Sequence, residues 1–147
     1  MKQLPPRPVS ASRVFPRQLL HWRPEEWLMI SETDARQFAA EWIEAWNAHD
    51  LERILTHYAD DFCLTSPMIA KLATPTGTLQ GKPSIRAYWE KALARVPDLR
   101  FELLDVLIGV DSVTICYKAV FGRRAAEVFR FRADGKVYES YAHYDTI

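Results

Sequence analysis

Cysteine is nearly absent from this chain, and its two examples, Cys63 and Cys116, lie far apart without the spacing of a metal pair. They read as buried thiols in a reducing compartment, so a cytoplasmic protein is expected. Net charge is missing as well: nineteen basic residues balance nineteen acidic ones, which removes the electrostatic case for a nucleic-acid partner. No apolar run approaches the roughly 18 residues that a membrane crossing needs, and no membrane partner is expected. The five glycines never gather into a phosphate-binding loop, and no nucleophile elbow appears. The four histidines, His21, His49, His57 and His143, show no ligand spacing on one helix. Each reads as structural, and no metal or cofactor is predicted.

What is present supports a packed core: 48% hydrophobic residues and 12% aromatics in 147 residues. That length suits one domain, burying roughly 68–70% of its unfolded surface. Composition divides the chain in two. Residues 1–28 hold five of the nine prolines and five basic residues against only Glu25 and Glu26. Prolines break any long helix there, and Arg17 interrupts the one candidate for a signal-peptide core. An extension lying on the surface or without order is expected. Residues 29–147 form the domain, mildly acidic, and Met29 at its edge offers an alternative to Met1 as the start of translation.

From Thr33 the pattern is helical. Thr33 or Asp34 serves as cap, and Phe38, Trp42, Ala45 and Trp46 recur at spacings of three and four. Asp50 is positioned to cap a second helix over Leu51–Tyr58. Phe62 to Ser66 alternates as a short strand ended by Pro67. Residues 68–80 read as an irregular or weakly stranded loop. Gly81 introduces a third helix bearing Ile85, Tyr88, Trp89 and Leu93, which stops near Pro97. After Asp98 four strands follow, over 99–108, 112–120, 125–132 and 136–145, as an antiparallel meander.

The chemical lead is Glu127. In an extended chain it shares a face with Phe129 and Phe131, and a carboxyl among aromatics tends to its neutral form unless something pairs it. A two-residue turn at Asp134-Gly135 sets Phe131 opposite Tyr138, Phe129 opposite Ser140, Glu127 opposite Ala142 and Ala125 opposite Tyr144. The other face then pairs Arg130 with Glu139 and Val128 with Tyr141. The preceding hairpin has two readings. A three-residue turn Phe121-Gly122-Arg123 places Tyr117 opposite Glu127, and this is preferred because it aligns a consistent apolar face. A two-residue turn at Gly122-Arg123 places Lys118 there instead and makes an ordinary ion pair.

Helices, one early strand, a third helix and a four-strand meander make an α+β order. Three helices packed on a strongly curved, mostly antiparallel sheet would enclose a cone-shaped pocket. Over about residues 34–145 the chain resembles the SnoaL-like branch of the nuclear-transport-factor-2-like superfamily, whose members include ketosteroid-isomerase-like enzymes. The resemblance rests on the run from Trp42 to Glu52, on Tyr58-Ala59-Asp60-Asp61-Phe62 with Ser66-Pro67, on Gly81-Lys82 before Tyr88-Trp89, and on Glu127-Val128-Phe129 before Asp134-Gly135.

The resemblance implies a small, largely hydrophobic ligand, and isomerase, cyclase or hydrolase chemistry for some members but only binding for others. In ketosteroid-isomerase-like members a base aspartate precedes the proline after the first strand; here that place holds Ser66. Their oxyanion tyrosine on the first helix corresponds to Trp42, and their protonated acid on the sheet to Glu127. Two of these three positions lack the needed chemistry, so that isomerisation is not expected. The candidate catalytic residues are therefore Glu127 with Tyr117, and the candidate ligand-binding residues Trp42, Ser66, Phe129 and Tyr144. The alternative is a non-catalytic ligand-binding or dimerisation module. A homodimer is implied through the outer sheet face, which offers Val128, Arg130, Val137, Glu139, Tyr141 and His143.

Overall fold

The structure, a computed structural model, describes residues 29–147; the extension 1–28 and the choice between Met1 and Met29 lie outside the described residues. Helix α1 spans Glu32–Asn47. Its cap is Ser31, just upstream of the threonine and aspartate expected, and the Ser31 hydroxyl accepts from the Asp34 amide at 3.0 Å. Helix α2 (Leu51–Leu55) is capped by Asp50 as expected but ends short of Tyr58. The chain turns extended there because Tyr58 pairs with Val137 across the sheet, and the Val137 amide donates to the His57 carbonyl at 2.9 Å. Sheet hydrogen bonding thus claims the residues that helical periodicity had assigned to the last turn.

Strand β1 is Tyr58–Thr65. The region expected as a loop instead holds a short helix α3 (Pro67–Leu72) and strand β2 (Thr78–Gln80). Ser66 caps α3 and Pro67 opens it, a local signal present in the sequence and outweighed there by the threonines, Pro75 and Gly77 that follow. Helix α4 (Lys82–Arg95) starts at Gly81, whose φ of 86° suits glycine. Strands β3 (Glu102–Ile108), β4 (Ser112–Lys118), β5 (Arg124–Phe131) and β6 (Val137–Tyr144) complete the chain.

Four helices therefore pack on one six-stranded sheet of order β2-β1-β6-β5-β4-β3 among the described residues. Of its strand pairs only β1–β6 is parallel. Irregularities in the β1–β6, β3–β4 and β5–β6 pairings bend the strands, as bulges do. The α+β class and the curved, mostly antiparallel sheet are as expected, with one helix more.

The β4–β5 hairpin departs from both expected registers and the β5–β6 hairpin only next to its turn, for a local reason in each case. The β4–β5 connection is a three-residue turn, but it is Val120-Phe121-Gly122, closed by the Ala119 amide donating to the Arg123 carbonyl at 2.7 Å. Phe121 (φ 59°) and Gly122 (φ 71°) both adopt the left-handed region. Ile115, and neither Tyr117 nor Lys118, consequently stands opposite Glu127, while Tyr117 pairs with Ala125 and Val113 with Phe129. The shift from the preferred register is two residues, an even number, so Tyr117 remains on the face of Glu127.

In the β5–β6 hairpin, pairing matches expectation from Ala125–Tyr144 to Arg130–Glu139. Next to the turn it slips: the Arg132 amide donates to the Lys136 carbonyl at 2.8 Å around Ala133-Asp134-Gly135, and Phe131 faces Val137. Val137 is thereby fully buried instead of lying on the outer face, and Tyr138 turns outward beneath the guanidinium groups of Arg130 and Arg132, at 5.2 and 5.3 Å.

Candidate functional site

A cavity of about 340 Å³ opens between the helices and the concave face of the sheet. Its walls are mostly aromatic and aliphatic. α1 contributes Trp42 and Trp46, α4 contributes Tyr88 and Trp89, and the sheet contributes Leu64, Tyr117, Ala142, Tyr144 and, alone among the described lining residues in being an acid, Glu127. Trp42 is clamped by its neighbours: it stacks on Phe101 at 5.7 Å and meets Tyr117 and Phe129 edge-on at 5.3 and 5.2 Å. This is the apolar, few-polar-group character common to small-molecule sites.

Glu127 is buried, 6% exposed. No cation reaches it among the described residues. Burial pushes its carboxyl up from an ordinary value of 4.5 to about 8, and the Ser140 hydroxyl beside it only partly offsets this. Glu127 is thus a neutral acid at pH 7, able to donate a proton or a hydrogen bond. Once ionised, above about pH 8, it acts on the phenols of the site. Tyr117 and Tyr58, both deeply buried, have phenols pushed well above the usual range by desolvation and next by the Glu127 charge. The same two causes push Tyr144 up to about 12. All three tyrosines therefore act as neutral hydroxyls.

The structure brings together five of the six residues singled out in the sequence. Glu127, Tyr117, Trp42, Ser66 and Tyr144 line the cavity. Tyr117 is near Glu127 but not across the ladder from it. Phe129 does not line the cavity; it lies behind Trp42 and packs edge-on against Phe38 at 5.0 Å. Ser66 is occupied as the α3 cap, accepting from the Met68 amide at 3.2 Å, and its hydroxyl acts to lower the Tyr144 pKa against the larger effect of burial. Trp42 presents its ring and not its N–H, because Nε1 donates to the Tyr58 hydroxyl at 2.9 Å.

Tyr58 is the neighbour of this group that the sequence pattern misplaced. Periodicity places it on a helix, and only the strand carries it beneath Trp42 and toward Glu127. The buried indole N–H of Trp46, also in the wall, has no hydrogen-bond partner among the described residues.

The remaining candidates lie outside the cavity wall. Asp61 forms a two-pronged pair with Arg132 at 2.7 and 3.0 Å, and Asp60 meets Lys82 at 3.3 Å. His57 sits in a separate, more open groove beside Phe38, where burial lowers its pKa. His143 is exposed. Cys63 and Cys116 are free and half-buried, less enclosed than expected. Among the described residues no three His, Cys, Asp or Glu side chains gather as a metal site, and no helix is long and apolar enough to cross a membrane.

Comparison with known proteins bears on this geometry. The family model described as a SnoaL-like domain matches residues 39–140. A solved SnoaL-like protein of unknown function from Burkholderia thailandensis is 52% identical, covering 79% of this chain and 98% of that one, with a TM-score of 0.78. IdmH, a proposed polyketide cyclase from Streptomyces antibioticus, is 23% identical over 76% of this chain and 91% of its own, with a TM-score of 0.64. AclR, a proposed hydroxylase from Streptomyces galilaeus, is 21% identical over 78% and 77%, with a TM-score of 0.62. The last two share the fold. No curated protein matches the chain.

Proposed function

The chain belongs to the SnoaL-like domain family, and we propose that it binds a small, largely hydrophobic molecule in its cavity, with Glu127 as the proton or hydrogen-bond donor to a carbonyl or developing oxyanion. The observation that carries this reading is a neutral carboxyl, the one acid among the described residues of the cavity wall, set among tryptophans and tyrosines. A positioned acid whose pKa lies near the working pH is the form general acid catalysis favours, and such groups commonly contribute about 100- to 10,000-fold. The cyclase chemistry attributed to IdmH is compatible with a donor at a carbonyl; hydroxylation, attributed to AclR, would need an oxidant from outside these residues.

The alternative, binding without chemistry, is favoured by one observation. No second side-chain base accompanies Glu127: among the described residues the cavity wall holds neither another carboxylate nor a histidine. Tyr117 and Tyr144 hold their protons at neutral pH. A reaction here would move one proton through Glu127 or borrow its base from the substrate.

A ligand screen by thermal shift on wild type and Glu127→Gln tests the proposal. Binding to the native state alone raises apparent stability by RT ln(1 + [L]/Kd), about 2.7 kcal/mol at 100 Kd. Carbonyl-bearing hydrophobic compounds should stabilise the wild type. The Glu127→Gln variant, whose new amide still donates a hydrogen bond, should keep binding while losing any turnover. Hits unaffected by blocking the cavity with Ala142→Trp would count against the site.

The outer sheet face supports a homodimer as a companion proposal. Val128, Arg130, Glu139, Tyr141 and His143 lie there; Tyr141 is 39% exposed, and Arg130 is held toward Glu139 at 3.1 Å. Light scattering after size exclusion at micromolar concentration should give the mass of two chains; the mass of one would overturn it.

A further inference from the structure

The cavity has chemically distinct ends. Its inner part holds Glu127, Trp42 and Tyr117, all buried. Its outer part is formed by Met68 and Leu72 of α3, by Arg95 at the end of α4, and by Val120, Phe121 and Arg123 of the β4–β5 connection. Leu72 and Phe121 are 54% and 80% exposed, which marks this as the mouth.

Positive charge stands at that mouth without a counter-ion among the described residues. Six described arginines, at 36, 53, 86, 124, 130 and 132, lie in ion pairs with carboxylates. Arg123 has no carboxylate partner among the described residues; the one hydrogen bond of its guanidinium there is to the Met68 thioether at 3.7 Å, a weak acceptor. Arg123 is half-buried, so its charge is not simply solvated, and it is close enough to Tyr144 in the cavity wall to act on that phenol's titration. Arg95 has no carboxylate partner there either and acts in the same way on Tyr88. It also answers the negative end of the α4 dipole, so Arg123 is the stronger indicator.

We propose that the ligand is an aromatic or otherwise planar hydrophobic carboxylate, its anionic group held by Arg123 at the mouth and its body against Trp42, Trp46 and Trp89. This rests on the cavity-binding reading above and names its substrate class. A guanidinium matches a carboxylate in planar, two-pronged geometry. Because Arg95 already answers the negative end of the α4 dipole, Arg123 is the guanidinium at the described mouth best placed for a ligand, which suits a monoanion better than a phosphate, whose second charge would call on a further cation. The neutral Glu127 matters here because an ionised one would repel the incoming anion; held protonated, it leaves the inner end free to meet an uncharged oxygen of the ligand.

A matched pair of probes tests this: 2-naphthylacetate and its uncharged counterpart 2-naphthylacetamide, titrated into the full chain well below pH 8. Three of the five tryptophans line the cavity, so their fluorescence reports occupancy. The carboxylate should bind about tenfold or more tighter than the amide, the factor that one hydrogen bond to a charged group supplies, and added salt should shrink the difference. Arg123→Gln should remove the preference, weakening the carboxylate about tenfold or more and the amide far less, and Arg123→Lys should restore part of it. Equal binding of the two probes to wild type, or equal weakening of both by Arg123→Gln, would overturn the carboxylate assignment while leaving the cavity reading intact. A preference abolished by Arg95→Gln and untouched by Arg123→Gln would overturn the role of Arg123. Failure of both probes to bind would overturn the two readings together.

Discussion

Glu127→Gln should leave stability unchanged near pH 4 and raise it increasingly as the pH climbs toward 8. The folded protein holds the Glu127 proton up to about pH 8, whereas the unfolded chain releases it near the ordinary value of 4.5. Below 4.5 both states are protonated and the group contributes nothing to the pH dependence. Between the two values the unfolded state alone gains from ionisation, so wild-type stability falls by about 1.4 kcal/mol per pH unit until the folded pKa is passed. At pH 7 the accumulated cost is about 3 kcal/mol, a large share of the 5–15 kcal/mol typical of a domain.

Glutamine is a neutral isostere of the protonated acid and escapes this cost. The difference between the two proteins isolates Glu127 from carboxylates such as Glu41, Glu52 and Asp61, whose arginine partners hold their pKa values down. Urea unfolding of both proteins across that pH range checks the prediction. Parallel curves, with a constant offset, would mean that Glu127 ionises in the fold like any surface acid, and the proton-donor reading would fail.

Trp42→Ala should cost about 3–5 kcal/mol, the range for removing a large buried aromatic. Trp42 is 2% exposed and joins helix to sheet: it touches Phe101, Tyr117 and Phe129 through its ring and Tyr58 through its N–H. Because it borders an existing cavity, the void left by alanine merges with that space and the neighbours have little to close upon. Trp42→Phe separates the two contributions. It keeps most of the ring packing but strands the buried Tyr58 hydroxyl, a loss of about 1–3 kcal/mol. Urea midpoints at constant slope measure both. A cost below about 1 kcal/mol for alanine would contradict the central packing role; equal costs for Ala and Phe would assign the whole effect to the hydrogen bond.

The two substitutions act in opposite directions at neutral pH, which follows from the construction of the site. The aromatic wall that stabilises the fold is also what desolvates Glu127. Stability and an available proton donor are set against one another within one cavity, as they commonly are where function requires strained or poorly solvated groups.

Local pattern was enough for α1, for the Asp50 cap of α2, for α4 after Gly81 and for the four late strands, because periodicity and capping chemistry act over a few residues. The same holds in part for Glu127: alternation alone put it on the face of Phe129, whereas Ala142 stands across from it because the irregularity between Arg130 and Phe131 offsets the three-residue turn formed in place of the two-residue one. Neutrality of a carboxyl among aromatics follows from its desolvation, which that alternation already implied.

Long-range pairing decided the rest. β1 begins at Tyr58 because β6 offers it a parallel partner, Val137, near the far end of the chain, a contact with no local trace. Tyr117 keeps its place in the cavity although its partner is Ala125, since a two-residue slip preserves the face. Phe129, alike in pattern to the wall residues, sits behind Trp42 because curvature and the α1 side chains close over it. Arg123 gives no signal among nineteen basic residues; only the turn at Val120-Phe121-Gly122 brings it to the mouth. Fold class and the buried acid were legible because alternation and desolvation act along a few consecutive residues. Which side chains surround that acid, and where the unpaired charge stands, were set by strand pairing and sheet curvature, which depend on contacts between residues distant in the chain.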